Sequence, residues 1–407
     1  MKNQCTNSSI TGKKPRLFTL NFSLIFFSTL CMMMIFQSFN STLPAYVEEY
    51  SGTVKYAGIA VTALTIAAVI SRPVTGYLLD KKGRGNIYLI GLLLFLIPTL
   101  AFIGMIPVAA VIVLRFVQGI GFGMGHTASN TIAMDLVPRK RLGEGVGLYS
   151  LSFSISMAVG PALALWIIEY HSFRELFIIS SGLVLLSIFL ALLIRYPRSI
   201  ENKRQDEEDR QNIKFAVIEK KALYPSLVGF LIMFTSSSVT AFLYLFAQDI
   251  NIQSAGLFFS VMAVSTILSR PIAGLIMDRS GPKGNIFNIS FSIILLIFSL
   301  IIVSYSKELN HLLIGGLLFG FGGGFSKATL LAITVLKVPA IEKGRAIATY
   351  WTFVDLGVSL GAFFWGFIAS ISGYQQMYLL TTIPLILAFI VYYWGEIRPK
   401  LIISKHA

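Results

Sequence analysis

The sequence contains 407 residues, of which 55% are hydrophobic and only 13% are charged, and its mean hydropathy is +0.75. A soluble domain carries about 25% charged residues, so this composition indicates a membrane protein. The net charge of +14 does not predict a nucleic-acid partner, because the basic residues recur in short clusters between long apolar runs. The two cysteines and four histidines show no metal-ligand spacing. We therefore expect no metal site and no cofactor.

Twelve apolar runs long enough to cross a membrane follow one another along the chain. A transmembrane helix needs about 20 mostly apolar residues. The runs cover roughly 18–46, 54–79, 87–106, 108–133, 144–168, 174–195, 223–249, 254–277, 286–304, 310–335, 346–371 and 376–396. The sequence therefore predicts an all-α membrane protein with 12 transmembrane helices in a lipid bilayer.

The longest polar segment divides these runs six and six and predicts the domain organisation. We expect an N-terminal six-helix bundle at 1–195, a cytoplasmic linker at 196–222 and a C-terminal six-helix bundle at 223–407. With the N-terminus placed in the cytoplasm, the cytoplasmic segments contain 26 Lys and Arg residues and the outer loops contain three. This asymmetry predicts that both termini are cytoplasmic.

Two sets of residues repeat between the halves, which predicts two pseudo-symmetric bundles. The first set recurs at an offset of 198 residues and comprises Arg72, Gly76, Asp80 and Gly83, matched by Arg270, Gly274, Asp278 and Gly281. The second set recurs at an offset of 201 residues and includes Gly119, Gly121, Gly123, Gly143 and Gly160, matched by Gly320, Gly322, Gly324, Gly344 and Gly361. Because each half has an even number of spans, the repeats are parallel. A solute site is then expected between them, near the bilayer midplane.

The segment Gly76-Tyr-Leu-Leu-Asp80-Lys-Lys-Gly83-Arg84-Gly, between the second and third runs, resembles the loop signature of the major facilitator superfamily. Its glycines permit a tight turn, and its cations favour the cytoplasmic side. We expect the acid to bond a helix N-terminus or a basic residue across the domain. The resemblance covers helix number, linker position and repeat, and it implies transport by alternating access. The residues that it implies for the conformational change are Arg72, Gly76, Asp80, Gly83, Arg84, Gly274 and Asp278.

Two further segments are similar to motifs of one branch of that superfamily, the 12-helix drug/proton antiporters. Arg115-Phe-Val-Gln118-Gly119 on the fourth run is similar to the arginine-bearing motif of this branch. Gly160-Pro161 on the fifth run is similar to its Gly-Pro motif, although Ser156 stands where a glycine is usual. Small residues let helices approach closely, and a proline permits a kink. The branch implies proton-driven efflux.

Polar residues inside the apolar runs predict the pathway of the solute and the proton, because an intramembrane charge marks a functional site by default. The expected pathway residues are Gln37, Asn40, Arg115, Gln118, His126, Ser237, Tyr244, Lys327 and Asp355. The third, sixth, ninth and twelfth runs contain no ionisable residue within the apolar span, and we expect them to face lipid.

The depth of the intramembrane charges predicts how they pair. At about 1.5 Å per residue, Lys327 and Asp355 lie at similar levels and are expected to pair. His126 precedes Lys327 by the repeat offset, so the two are expected to face each other across the pseudo-two-fold axis. Asp355 is the carboxylate deep in a span and is therefore the predicted proton-exchanging group. His126 is the next candidate, with a reference pKa of about 6.5.

The balance of deep charges favours an anionic or zwitterionic solute, because Arg115 and Lys327 outweigh Asp355. We therefore expect a monomeric secondary active transporter in a bacterial cytoplasmic membrane, which exports a small amphipathic solute of this kind in exchange for protons. Multidrug or sugar efflux, opine-metallophore export and nutrient symport are the alternatives.

Two other functional classes lack their sequence signatures. An ATP-driven pump would need a phosphate-binding loop, whereas Lys327 follows Ser326 and precedes Ala328 inside an apolar run. A membrane enzyme would need clustered acids, paired histidines or a Ser-His constellation, and the four histidines are scattered. We therefore expect no enzymatic activity.

Overall fold

The computed structural model describes residues 17–51, 54–104, 107–195, 218–252 and 256–397, and in these ranges the chain is helical without strands. Most of the predicted linker, residues 196–217, lies outside the described residues. The α-helices of the N-terminal half are α1 (Leu20–Ser51), α2 (Val54–Lys82), α3 (Arg84–Ala101), α4 (Val108–Leu136), α5 (Leu142–Tyr170) and α6 (Phe173–Leu192). Those of the C-terminal half are α7 (Leu223–Asp249), α8 (Gly256–Ser304), α9 (Leu309–Leu336), α10 (Lys343–Leu380) and α11 (Thr382–Tyr392).

Ten helices in the described ranges are long and apolar enough to cross a membrane. Two of these contain a glycine with non-helical backbone angles, Gly281 in α8 (φ 51°) and Gly373 in α10 (φ 79°). Glycine tolerates these positive φ values because it has no Cβ. As a result, the predicted eighth and ninth runs form one continuous element, and the twelfth run begins within α10. Gly83 (φ 90°), 198 residues before Gly281, separates α2 from α3 in the same way.

The helices predicted to face lipid expose apolar side chains at helical spacing. On α3 the exposed residues are Ile90, Leu93, Ile97 and Leu100, and on α6 they include Leu185, Phe189 and Leu192. The second part of α8 exposes Phe287, Ile294 and Phe298, and α11 exposes Ile383, Ile386, Leu387 and Ile390. Apolar stripes of this extent on four helices are the expected outer surface of a protein in a hydrocarbon solvent.

The sequence repeat corresponds to a repeated helix contact. In the N-terminal half, α4 packs on α2 so closely that a Cβ at Gly119 would collide with the Leu64 carbonyl oxygen. In the C-terminal half, a Cβ at Gly320 would collide with the carbonyl oxygen of Met262, which lies 198 residues after Leu64. The equivalent glycines therefore serve the same backbone approach in both halves.

The most extensive contacts between the two halves are made by two helix pairs, α2 with α10 and α5 with α8. A Cβ at Gly76 would lie 2.7 Å from the Ala348 Cβ, so α2 and α10 touch at the backbone. A Cβ at Gly143 would lie 2.6 Å from the Gly274 carbonyl oxygen, so α5 and α8 touch in the same way. These crossings place two helices of each half, α2 and α5 or α8 and α10, against the other half.

The contact between α3 and α4 offers a test of the packing. A Cβ at Gly121 would lie 2.5 Å from the Phe95 backbone nitrogen. Overpacking of this kind costs about 1–3 kcal/mol, against a helix-propensity gain of about 1 kcal/mol for Gly→Ala. We expect Gly121→Ala to lower the melting temperature of the purified protein in detergent. Gly182→Ala, in α6 with no atom within 4 Å of the added Cβ, is the control and should melt at or above the wild-type temperature. Equal melting temperatures for the two variants would contradict the packing.

Candidate functional site

An ion pair joins the two halves in the middle of the molecule. Arg72 Nη2 on α2 lies 2.7 Å from Asp355 Oδ2 on α10, and the exposed fraction of the side chain is 1% for Arg72 and 22% for Asp355. Arg72 is ten residues from the end of α2 at Lys82, which corresponds to about 15 Å along the helix axis. Asp355 is the partly accessible member of this pair.

Two rings complete the surroundings of Arg72. His126 on α4 has its Nδ1 3.4 Å from Arg72 Nη1, and it accepts this long contact because a guanidinium only donates. The guanidinium carbon lies 5.8 Å from the centroid of Trp351 on α10. Trp351 and His126 in turn meet edge to face, with ring centroids 4.4 Å apart. We call Arg72, His126, Trp351 and Asp355 the first cluster.

The predicted pair of Asp355 with Lys327 is wrong. Asp355 binds Arg72 from the opposite half, and Lys327 has no ion pair or hydrogen bond within the part of the chain that the structure describes. Lys327 lies close enough to Arg270 on α8 for the two positive charges to repel each other. Spacing along the sequence predicts the depth of a residue in its helix, but the direction of the side chain around the helix axis decides its partner.

Arg115 lies in a polar network inside the N-terminal half. Its Nη1 donates to Gln118 Oε1 at 2.8 Å, and its Nη2 donates to Asn40 Oδ1 on α1 at 3.1 Å. Gln118 Nε2 donates to the Thr99 hydroxyl on α3 at 3.0 Å. The network therefore ties α4 to α1 and α3, and both Arg115 and Gln118 are buried. Asn40 is half-buried.

The remaining predicted pathway residues have different surroundings. Ser237 is buried against Gly361, and its hydroxyl donates to the Phe234 carbonyl oxygen of its own helix at 2.8 Å. Gln37 is half-buried, and its Cβ packs against Gly160. Tyr244 is 56% exposed. Ser237 therefore serves helix packing in this conformation.

The Gly-Pro segment of α5 packs against α1. A Cβ at Gly160 would lie 2.8 Å from the Met34 carbonyl oxygen, and Ser38 donates to the Gly160 carbonyl oxygen at 2.9 Å. The helix continues through Pro161 to Tyr170. This segment thus forms a close contact within the N-terminal half.

One end of the molecule, which we call the motif end, contains both copies of the repeated loop signature. Asp80 Oδ1 accepts a hydrogen bond from the Gly344 N–H at 2.8 Å, and Oδ2 accepts one from the Arg345 N–H at 3.0 Å. The Arg345 Nε is also 3.3 Å from Asp80 Oδ2. Asp80 of α2 therefore binds the N-terminus of α10 in the other half, where the helix dipole favours a negative charge.

The second copy makes the reciprocal contact. Asp278 Oδ1 accepts from the Gly143 N–H and Oδ2 accepts from the Glu144 N–H, each at 2.8 Å. Asp278 of α8 thus binds the N-terminus of α5, and Gly143 is the repeat equivalent of Gly344. In each half, one carboxylate therefore accepts hydrogen bonds from the N-terminus of a helix of the other half.

A third acid at this end was not predicted from the sequence. Asp135, at the end of α4, pairs with Arg84 and lies 3.0 Å from Lys343 Nζ of the other half. Arg84 also donates to the Ala340 carbonyl oxygen at 2.6 Å. The sequence feature that could have identified Asp135 is its position about one helical turn before the basic residues Arg139–Arg141, which follow α4. From this end up to the level of the first cluster, the two halves are in polar contact.

The chain resembles known membrane transporters along most of its length. The family model described as Major Facilitator Superfamily matches residues 25–361 and 225–405. The staphylopine export protein of Staphylococcus aureus is 21% identical over 93% of this chain and 95% of that protein. The multidrug resistance protein MdtG of Escherichia fergusonii is 26% identical over 88% of this chain and 90% of that protein. The crystal structure of the human organic anion transporter MFSD10 superimposes with a TM-score of 0.78 at 17% identity, covering 93% of this chain and all of that one.

The Asp80 contact predicts that a variant at this position loses transport activity but keeps its fold. Asp80→Asn removes the charge at the α10 N-terminus and replaces one acceptor by an NH₂ group, and hydrogen bonds to charged groups contribute about 1.5–3 kcal/mol. We expect about a tenfold or larger loss of transport rate with little change in melting temperature. Asp278→Asn should lose less, because Asp278 is half-buried whereas Asp80 is buried. Asp249→Asn, exposed at the end of α7, is the control. A normal transport rate in Asp80→Asn would remove this contact from the mechanism.

Proposed function

The chain belongs to the major facilitator superfamily and is an integral membrane transporter, not an enzyme, and from this premise we propose that it exports a small amphipathic anionic or zwitterionic solute in exchange for protons. The observation that carries the proposal is the ion pair between Arg72 and Asp355 across the two halves. Alternating access requires the halves to separate at one end and then at the other, so this pair must break in each cycle.

The proposed topology has twelve spans in two six-helix bundles. It follows when α8 is divided at Gly281 and α10 at Gly373, where the backbone is not helical. The excess of Lys and Arg in alternate loops supports a cytoplasmic motif end with both termini on that side. The bacterial relatives support the cytoplasmic membrane as its location. Since one chain contains both halves of the site, we propose a monomer.

Protonation of Asp355 is the step that would break the pair at low cost. Removal of one partner from a buried ion pair costs about 3–5 kcal/mol because the other charge is left uncompensated. A proton on the carboxylate removes its charge, and the side chain is accessible enough for a proton to reach it. Arg72 would then keep its contacts with the His126 and Trp351 rings.

This step gives an exchange cycle. The deprotonated pair stabilises closure at the motif end, which opens the site to the outside. Uptake of a proton from the outside breaks the pair and favours opening at the motif end. There the proton is released and the solute binds, and the restored pair returns the loaded site to the outside. The direction is export, and the likeness to the staphylopine export protein supports it.

The charges of the buried residues support the solute class. Arg115, Arg270 and Lys327 have no carboxylate partner among the described residues, whereas Asp355 is neutralised by Arg72. An excess of buried cations favours a solute that brings negative charge. Multidrug export is the alternative that the likeness to MdtG supports, and it would appear as transport of uncharged or cationic compounds.

The test uses everted membrane vesicles with an acid interior and a panel of amphipathic anions, with an acridine dye reporting the pH gradient. We expect anions that are substrates to dissipate the gradient in the wild type. Asp355→Asn should abolish this dissipation and leave downhill counterflow of the same anion measurable, because solute binding does not need the proton. Asp249→Asn is the charge-matched control.

Two outcomes of this experiment would change the assignment. Normal dissipation in Asp355→Asn would exclude Asp355 as the proton-exchanging group. If Asp355→Asn fails but Asp355→Asn with Arg72→Gln recovers pH-driven transport, the ion pair has a structural role, and His126 becomes the next group to test.

A further inference from the structure

The first cluster has a counterpart in the other half of the molecule, which keeps the arginine and differs at the other three positions. The repeat offsets relate Arg72 to Arg270, His126 to Lys327, Trp351 to Ser150 and Asp355 to Ser154. We call Arg270, Lys327, Ser150 and Ser154 the second cluster. Its arginine is kept, its histidine is replaced by a lysine, and its carboxylate is missing. An arginine and a lysine therefore stand where the first cluster has an arginine and a histidine, and a serine stands where the first cluster has the acid.

Arg270 occupies the same kind of position as Arg72. It reaches from α8 across to α5 of the other half, where its Nη1 donates to the Ser150 carbonyl oxygen. Its guanidinium carbon lies 5.8 Å from the centroid of the Phe153 ring. The residue is 2% exposed, and its Nε has no hydrogen-bond partner within the described residues. Unlike Arg72, this buried guanidinium has no carboxylate partner among the described residues, so its charge is not balanced.

Lys327 supplies a second positive charge next to it. The helices that carry the two cations touch one turn away, because a Cβ at Gly324 on α9 would collide with the Ser269 hydroxyl on α8. Arg270 and Lys327 are close enough for their positive charges to repel each other. Lys327 is half-buried and forms no ion pair or hydrogen bond in the described part of the chain. Two like charges held together inside a membrane protein are unfavourable unless an anion joins them.

Ser154 provides a donor at the place of the missing acid. It lies four residues after Ser150, one helical turn along α5, as Asp355 lies one turn after Trp351 on α10. Its side chain is buried, and its hydroxyl has no hydrogen-bond partner among the described residues. The pseudo-symmetric position of the Asp355 carboxylate thus holds a hydroxyl without a hydrogen-bond partner, beside two cations that have no carboxylate partner among the described residues.

We infer that Arg270, Lys327 and Ser154 bind a carboxylate group of the solute, which takes the place that the Asp355 side chain occupies in the first cluster. This inference rests on the proposed export of an anionic or zwitterionic solute and names the group that is recognised. A carboxylate matches the site because it carries one negative charge and accepts hydrogen bonds at both oxygens. The Phe153 ring beside Arg270 favours an apolar, preferably aromatic, body attached to it.

The inference also explains why an empty carrier would cycle slowly. Arg270 and Lys327 belong to the C-terminal half and Ser154 to the N-terminal half, so a bound carboxylate bridges the halves. Closure at the motif end without it leaves both cations buried with no negative charge beside them. A bound solute therefore stabilises this closure as the Arg72–Asp355 pair does in the first cluster.

The test measures binding rather than transport. The probes are benzoate and benzamide, which have the same shape and differ in charge. Each is added to the purified full-length protein in detergent at pH 7.5 and constant ionic strength, and the melting temperature is recorded against concentration, since a ligand stabilises by RT ln(1 + [L]/Kd). We expect benzoate to raise the melting temperature and benzamide not to raise it. An equal effect of both, or no effect of benzoate, would overturn the inference.

A charge-matched pair of variants locates the site. Lys327→Gln should weaken benzoate binding about tenfold or more, because loss of one partner of a buried charge pair is expensive. Lys307→Gln removes the same charge at an exposed position and should bind benzoate with wild-type affinity. If both variants bind benzoate equally, the anion binds elsewhere and the assignment is wrong.

Ser154→Asp gives the sharpest test, because it restores the carboxylate of the first cluster. The new acid should neutralise Arg270 and Lys327, abolish the benzoate effect and leave the variant folded, with a melting temperature at or above that of the wild type. Ser154→Asn adds a similar volume without charge and should retain part of the benzoate effect. Loss of the effect to the same extent in both variants would show a steric cause and contradict the inference. None of these binding measurements depends on a pH gradient. If benzoate binds but no proton exchange is found in vesicles, the proposed coupling is wrong and the proposed site is not affected.

Discussion

The account depends on the electrostatics of a buried ion pair that belongs to two moving bodies. Arg72 and Asp355 come from opposite halves and meet inside the molecule, about a third of the way along their helices from the motif end. In a low-dielectric interior each charge is costly without the other, so the pair favours the one arrangement that brings them together. The motif end reinforces this arrangement with carboxylates on the first turns of α10 and α5. The closed motif end and the mid-depth pair are therefore parts of one conformational state.

The pseudo-symmetry of the chain makes the difference between the two clusters informative. The backbone contacts are repeated, as the approaches at Gly119 and Gly320 show, and Arg72 and Arg270 both cross to the other half. Only the first cluster provides its own acid. We propose that the transporter binds the proton at the first cluster and the solute at the second. Alternating access then needs the same backbone contacts in both halves, whereas the two clusters need different side chains.

Much of this fold follows from the sequence. Apolar runs predict the helices, and the uncharged runs predict the lipid-facing ones, because both depend on composition along a single helix. The loop signature predicted that Asp80 binds a helix N-terminus or a basic residue, but it did not predict that the helix belongs to the other half. The partner of Asp355 was not, because sequence spacing gives the depth of a residue but not the direction of its side chain around the helix axis. The predicted eighth and ninth helices form one continuous element in the structure, because the chain is non-helical only at Gly281.

The central claim is that protonation of Asp355 opens the motif end. It can be measured by the distance between spin labels at Lys140 and Lys283, which are exposed at this end in opposite halves, in a protein with Cys5 and Cys31 replaced and embedded in lipid nanodiscs. The account predicts a short distance at pH 8, a longer one at pH 5.5, and the longer one at both pH values in Asp355→Asn. A distance in Asp355→Asn that still shifts with pH as in the wild type would contradict it.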